Sequence, residues 1–451
     1  MTAPRTLLLV AYYYPPLGGI GSLRALSFAR HLPTHGFRPI IVTPERGAYG
    51  LDATLDPGAG SDVTVVRTGS LEPGVLLRRL RSGGGPPAAA GGGDFVEATG
   101  RGGFSGLLRR LLHQAVYFPD HANGWIPAAT RAAIRAGRRH NVSVVLSTSP
   151  PVSGHLVALQ AARALGVPAV LDFRDLWTAH REDTASGGRF DVERRLERRL
   201  LRRAAAVTTV SEACRSWLLA RHGGVPKAPF VVLRNGYEES AFEEPPPIRE
   251  PGVFRIVHTG TVYGAKQDLT SFFQALARVR EEGEFGALRV ELVFAGKVDA
   301  QARAAAEAAG CLELCRFVGF VPHPEAVSLL RTATLNLLLT WSVPGWVARG
   351  VCPGKMYEQI AAGRPVLALA LPECEAGDVV RAAGGSLVAD PHDAEGIATH
   401  LRAFLQAERA GDAATAAPDR IDDPTSYSRR AMTSRLAEVL HQVCDGEGSV
   451  G

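Results

Sequence analysis

The strongest constraint on this chain is an alternation that runs from end to end. Short apolar runs are closed by glycine, proline, asparagine or a charged residue, and several are followed by stretches of helical character. In the first half the runs are Leu7–Val10, Ile40–Thr43, Val63–Val66, Val144–Ser147, Ala169–Phe173, Ala206–Val210 and Phe230–Leu233. In the second half they are Phe254–His258, Leu292–Ala295, Cys315–Val321, Leu335–Leu339, Pro365–Leu369 and Leu387–Ala389. Strand, loop, helix and strand in this order predict βαβ units and hence parallel sheets. With 451 residues the chain is too long for one typical domain. The acidic, proline-rich stretch Glu243 to Pro251 is the expected boundary. The expected fold is α/β, with two tandem Rossmann-like doubly wound parallel-sheet domains facing a cleft, over residues 1–240 and 252–425.

Composition sets the class. Residues are 46% hydrophobic, and no uncharged apolar run has membrane-spanning length, which predicts a soluble globular protein. The apolar run after Arg5 is short and lacks a small-residue cleavage site, so it reads as a buried strand and not as a signal peptide. Six cysteines show no zinc spacing, which predicts reduced thiols and a cytoplasmic protein. A net charge of +5 is too mild to argue for nucleic acid. Residues 82–106 are mostly glycine, alanine and proline and read as a flexible loop inside the first domain. The basic and apolar Leu107 to His113 reads as a helix packed on the sheet, or as a peripheral contact with the inner face of the cell membrane. Helix Val192 to Arg203 mixes arginines with Glu193 and Glu197 and is expected to present a solvated face.

The stretch from Val351 to Ala368 carries the first chemical signal. Pro353-Gly354 reads as a turn, Lys355 to Ala362 as a helix stopped by Gly363, and Pro365 as the start of a buried strand. A helix that opens on Pro-Gly leaves its first N–H groups unpaired and its positive end exposed, which suits an anion. Lys355 there makes sense if a phosphate is bound, and Glu358 on the same face could accept hydrogen bonds from ribose hydroxyls. An ordinary surface helix is the competing reading. Lysine is rare here: of fifty basic residues only Lys227, Lys266, Lys297 and Lys355 are lysines. Three of the four fall where a phosphate site could lie, and a compact ammonium is not replaced by the planar fork of arginine.

Other strand ends offer further candidates. The loop Tyr12 to Gly21 contains Gly18, Gly19 and Gly21 without the spacing of a dinucleotide fingerprint, and a tight turn without a ligand remains open. Ser149 closes one strand; Arg174, Asp175 and Trp177 follow another, as a site composition or as a structural Arg–Asp pair under a loop. His155, early in a helix, reads as a packed or capped histidine more readily than a catalytic one.

Three stretches, His258-Thr259-Gly260 to Lys266, Phe317 to Val321, and Pro353-Gly354-Lys355 to Pro365, resemble the retaining GT-B glycosyltransferases of group 1, or family 4. The Pro-Pro-Leu-Gly-Gly opening, Val210-Ser211-Glu212 and Asn235-Gly236 fit the same family. Residues 426–445 look like its carboxyl-terminal helix crossing back to the first domain. The resemblance implies sugar transfer from a nucleotide-diphosphate donor, such as a UDP-sugar, to a hydroxyl acceptor, with anomeric retention and no cofactor or metal. The acceptor classes it leaves open are a polysaccharide, a lipid-linked sugar and a secondary metabolite. It implies donor contacts at Gly18, Gly19, Gly21, Gly260, Thr261, Lys266, Gly296, Val321, Gly354, Lys355, Met356 and Glu358. Lys266, Lys355 and Asp175 are its catalytic candidates; Ser149, Arg174, Asp175 and Trp177 lie on the acceptor side. Two positions depart from the pattern: Gly350 stands where the family usually has a first glutamate, and Thr261 where it often has arginine. Arg349 or Lys297 could compensate. The competing classes are a non-catalytic nucleotide-sugar-binding partner of another transferase and a nucleotide-sugar epimerase.

Overall fold

The computed structural model describes residues 3–17, 20–45, 63–71, 117–179, 188–225, 228–343, 345–411 and 424–446. Gly18, Gly19, the 82–106 stretch and Leu107–His113 lie outside the described residues. The chain divides into two compact units. One holds the residues to Val210, Cys214–Leu233 and the chain from Thr433; the other holds Ser211–Ala213 and Arg234–Met432.

The first unit contains β1 (Arg5–Val10), α1 (Ile20–His31), β2 (Phe37–Pro44), β3 (Thr64–Thr68), α2 (Ile126–His140), β4 (Val144–Ser149), α3 (Ser153–Leu165), β5 (Ala169–Phe173), α4 (Gly188–Arg203), β6 (Ala206–Thr209), α5 (Glu212–Arg221) and β7 (Phe230–Val232). Its strands form one parallel sheet in the order β3-β2-β1-β4-β5-β6-β7. Strands β4 and β5 are buried along their whole length, as expected when helices cover both faces of a parallel sheet.

The second unit contains β8 (Val253–Thr259), α6 (Thr270–Glu281), β9 (Arg289–Ala295), α7 (Ala300–Ala308), β10 (Cys315–Gly319), α8 (His323–Thr332), β11 (Leu335–Leu339), α9 (Trp346–Gly350), α10 (Gly354–Ala361), β12 (Val366–Leu369), α11 (Glu375–Ala383), β13 (Leu387–Ala389) and α12 (Ala394–Arg409). The sheet is again parallel, in the order β10-β9-β8-β11-β12-β13. Its main core sets Phe272, Phe273 and Leu276 of α6 and Leu401, Phe404 and Leu405 of α12 against Phe254, Leu292 and Leu337 of the strands.

The passage between units falls at Leu233–Arg234, ahead of the proline-rich stretch where the sequence suggested it. The reason is local packing. Tyr237 bridges to Ser428 and buries its ring with Met356 and Tyr357, while Phe242 packs on the same cluster. Helix α13 (Arg429–Cys444) is divided, counting with the first unit from Thr433 onward. Helix α4 also departs from expectation, because Glu193 and Glu197 are fully buried and not solvated. Glu197 accepts from the Thr178 hydroxyl at 2.6 Å and contacts His222 Nε2 at 2.7 Å; Glu193 pairs with Arg189 at 2.8 Å.

Candidate active site

In an open α/β sheet, ligands bind beyond the carboxyl ends of the strands where the strand order reverses. In the second unit that point lies between β8 and β11. The loop after β8 starts at Gly260, whose φ of 99° and N–H donated to Ala295 O at 2.7 Å fold it against the loop after β9. Gly296 completes the approach: its φ is 139°, and a Cβ there would lie 2.3 Å from Gly260 O. A single turn, Gly264–Lys266, follows, and its backbone is laced to the loop after β11. Ser342 donates its N–H to Lys266 O at 2.8 Å, and Gln267 bridges Tyr263 N–H and Leu339 O. Lys266 is exposed, with Nζ 4.7 Å from the centroid of the Trp341 ring, a cation–π contact that orients the side chain. Thr261 beside it is half-buried.

Helix α10 enters from Pro353, whose backbone is extended, and no side chain caps its N-terminus. Gly354 is half-buried at that end. Lys355 Nζ lies 3.1 Å from His258 Nε2, and its side chain runs against Gly260. Burial pushes the Lys355 ammonium down to about 7. His258 is held well below its ordinary range, by burial first and then by the Lys355 charge, so it is neutral. Lys355 forms no ion pair with a carboxylate among the described residues.

Glu358, one turn along, faces elsewhere. Its Oε1 is 2.9 Å from Nε2 of His323 at the start of α8, so Lys355 and Glu358 have different partners despite their spacing. Strand β10 ends at Gly319, two residues before the sequence suggested, because Gly319 turns to φ 75°. Val321 therefore lies in the turn before His323, partly exposed, next to the 90%-exposed Phe320. Met356 does not face this site. Its side chain is fully buried in the core and its N–H is given to Pro353 O, because its helix face packs on Tyr237 and Cys352. Arg349 is committed to Glu373 at 2.5 Å, and Gly350 O accepts from the Ser211 hydroxyl at 2.9 Å.

In the first unit Gly21, Ser149 and Arg174 come together at the carboxyl edge of the sheet. Arg174 donates Nε to Ser149 O at 3.0 Å and Nη2 to Pro150 O at 3.2 Å. A Cβ on Gly21 would stand 2.9 Å from Tyr13 Cδ2 and 3.0 Å from Arg174 Nη2, so the start of α1 needs glycine to lie against the guanidinium. Trp177 is half-buried nearby in sequence. The two aspartates flanking Arg174 separate cleanly. Asp172 is fully buried, takes both Arg24 Nε and Nη2 at 2.8 Å, and accepts from Thr148 and Thr208. Burial pushes its carboxyl up, but the Arg24 charge and these hydrogen bonds outweigh that and leave it lowered. Asp175 is exposed. His155 is a packed histidine: fully buried, with Nδ1 2.6 Å from Ser147 Oγ and its ring against Phe173, it is pushed by burial down to about 3.

Sequence reasoning missed the partners. His258 for Lys355, His323 for Glu358, Trp341 for Lys266 and Arg24 for Asp172 all lie far away in sequence, and no spacing rule links such pairs. Among the described residues no group of three or more His, Cys, Asp or Glu could hold a metal ion. No described helix is long and apolar enough to cross a membrane.

Residues 18–240 match the family model described as Glycosyltransferase Family 4, and residues 253–407 that described as Glycosyl transferases group 1. No curated protein matches the sequence significantly. Among solved structures the chain is similar to sucrose-phosphate synthase from Thermosynechococcus elongatus, at 13% identity and a TM-score of 0.62 over 98% of this chain and 100% of that one. Anabaena HepE, solved in complex with UDP and glucose, is 14% identical with a TM-score of 0.61 over 97% and 100%. A putative UDP-N-acetylglucosamine 2-epimerase from Listeria monocytogenes is 13% identical with a TM-score of 0.55 over 99% and 98%. At such identities these three establish the fold alone, whereas the two family models together span most of the sequence. The chain belongs to the GT-B glycosyltransferases of group 1, the family 4-like enzymes.

Proposed function

We propose that this glycosyltransferase moves a sugar, with retention, from a nucleotide-diphosphate donor to a hydroxyl acceptor and needs no bound metal. The observation that carries the reading is the Lys355 ammonium at the uncapped start of α10, beside a neutral histidine and with no carboxylate partner among the described residues. A buried charge without a counter-ion is costly, and an anion bound at a helix N-terminus relieves it. Lys266, on a rigid loop at the same switch point, supplies a second cation for a diphosphate. Glu358 accepts hydrogen bonds from ribose hydroxyls, and the backbone near Val321 receives the base. Gly260 and Gly296 let the loops approach the phosphates closely, with Thr261 as a further contact. HepE has been solved in complex with UDP-glucose, which favours a UDP-sugar donor here.

In the reaction the bond from the anomeric carbon to the phosphate oxygen breaks while the acceptor oxygen bonds to that carbon on the same face. The acceptor proton passes to the leaving phosphate oxygen, so no separate base is required. Lys266, Lys355 and the α10 N–H groups stabilise the charge that develops on the diphosphate. Ser149, Arg174, Asp175 and Trp177 form the acceptor side, with exposed Asp175 positioning the hydroxyl. The acceptor is a polysaccharide, a lipid-linked sugar or a secondary metabolite. Six free cysteines suit a reducing cytoplasm.

Glycine at 350 favours a second reading, a nucleotide-sugar-binding partner without turnover, and the fold is shared with an epimerase. Incubation with radiolabelled UDP-sugars decides. Transfer, or slow release of UDP and free sugar, is expected. Binding without turnover to any acceptor identifies the partner, and sugar interconversion without UDP release identifies an epimerase.

A further inference from the structure

The ladder between β8 and β11 stops at Asn336 opposite Val257. Beyond it, Leu337 O is taken by two side chains, His258 Nδ1 at 3.0 Å and Gln359 Nε2 at 3.2 Å. A carbonyl only accepts, so Nδ1 of His258 carries the proton and Nε2 presents a lone pair. That lone pair faces Lys355 Nζ at 3.1 Å, which is therefore the donor. The ring also lies tilted against Phe294, at 6.0 Å between centroids. Protonating His258 would place two cations in contact, which fixes its neutral state.

Among the described residues no carboxylate pairs with the ammonium. Glu358 on the same helix pairs with His323, the loop after β8 offers the Gly260 backbone, and Lys266 lies on Trp341. We propose that His258 is a positioning residue for Lys355: its neutral Nε2 aims the side-chain nitrogen at the donor diphosphate and partly offsets the burial that disfavours the charged form. The inference rests on the donor reading above and extends it to a residue that touches no substrate. Donor binding then takes up a proton, because the arriving diphosphate stabilises the charged form that burial disfavours.

The four lysines of the chain make this directly measurable. In protein carrying 13C-labelled lysine, one of four side-chain signals is expected to titrate near 7 and to move toward the ordinary lysine range on addition of UDP. Calorimetry in buffers of different ionisation enthalpy reads the same uptake at pH 8. Two variants separate positioning from packing. His258→Gln keeps an acceptor near the Nε2 position and is expected to retain the wild-type pH profile of UDP binding. His258→Asn keeps the group near Leu337 O but withdraws from Lys355. It is expected to move the fall in UDP affinity to lower pH by on the order of one unit, about tenfold weaker binding at pH 8, with uridine binding unchanged. A wild-type profile in the Asn variant overturns the proposal, as do four lysine signals that all titrate in the ordinary range; the second measurement stands even if a variant fails to fold. Wild-type protein that binds no UDP removes the donor reading itself, and this inference with it.

Discussion

His323 Nε2 lies 2.9 Å from Glu358 Oε1, so the carboxylate assigned to a ribose is met by an imidazole from the start of α8. The hydrogen bond to Glu358 raises the His323 pKa, against partial burial. A raised histidine stabilises the fold fully below its unfolded value near 6.5, and that contribution disappears as pH rises through the folded value. Glu358→Gln should lower the His323 pKa, read from its ring signals by NMR. The same variant should bind UDP about tenfold more weakly or worse while inorganic diphosphate binding is unchanged.

Lys355 should show a conflict between function and stability. Its folded pKa of about 7 lies below the ordinary 10.5, so between those values the unfolded chain holds more protons and stability rises with pH. Lys355→Met should remove that slope, raise the melting temperature of the ligand-free protein at pH 7, and abolish measurable UDP binding. Thermal unfolding from pH 6 to 10, with and without UDP, checks all three.

Lys266 is exposed, and its removal should leave stability unaltered. Lys266→Ala should weaken UDP binding by a lost charge-assisted contact, roughly 1.5–3 kcal/mol. Trp341→Leu should give a smaller loss in the same direction, since the ring orients the cation without replacing it. Calorimetric titration of each variant with UDP distinguishes the two, and equal or absent effects contradict the assignment.

The aspartates flanking Arg174 should behave oppositely. Asp172→Asn removes the charge of the buried carboxylate that takes both Arg24 Nε and Nη2 and should cost about 3–5 kcal/mol in denaturant unfolding. Asp175→Asn should not change stability. If Asp175 positions the acceptor, its replacement should reduce transfer while UDP binding stays constant.

All thirteen described strands were legible as sequence, and three of them, Ala169–Phe173, Leu335–Leu339 and Leu387–Ala389, to the residue. Helices were harder to read. α2, α5, α7, α8 and α11 carried no clear signal; α2, for example, buries a face of small residues, Ala129, Ala132, Ala133, Ala136 and Gly137, that hydrophobic periodicity hardly registers. Glu193 and Glu197 misled for the opposite reason, since charge in a helix suggests water until partners such as Arg189, Thr178 and His222 are known.

By itself the sequence determined the two parallel α/β sheets, the glycine-opened helix and the placement of rare lysines on loops at strand ends. Those are local facts: apolar runs, turn residues and charges act within a few positions of one another. Tertiary structure alone decided which of these groups are paired. It set His258 against Lys355 across 97 residues, turned Glu358 to His323, hid Met356, and gave Asp172, not Asp175, the buried arginine. Protonation state and availability to a ligand depend on distance and burial, and the chain acquires both only when strands remote in sequence become neighbours in a sheet.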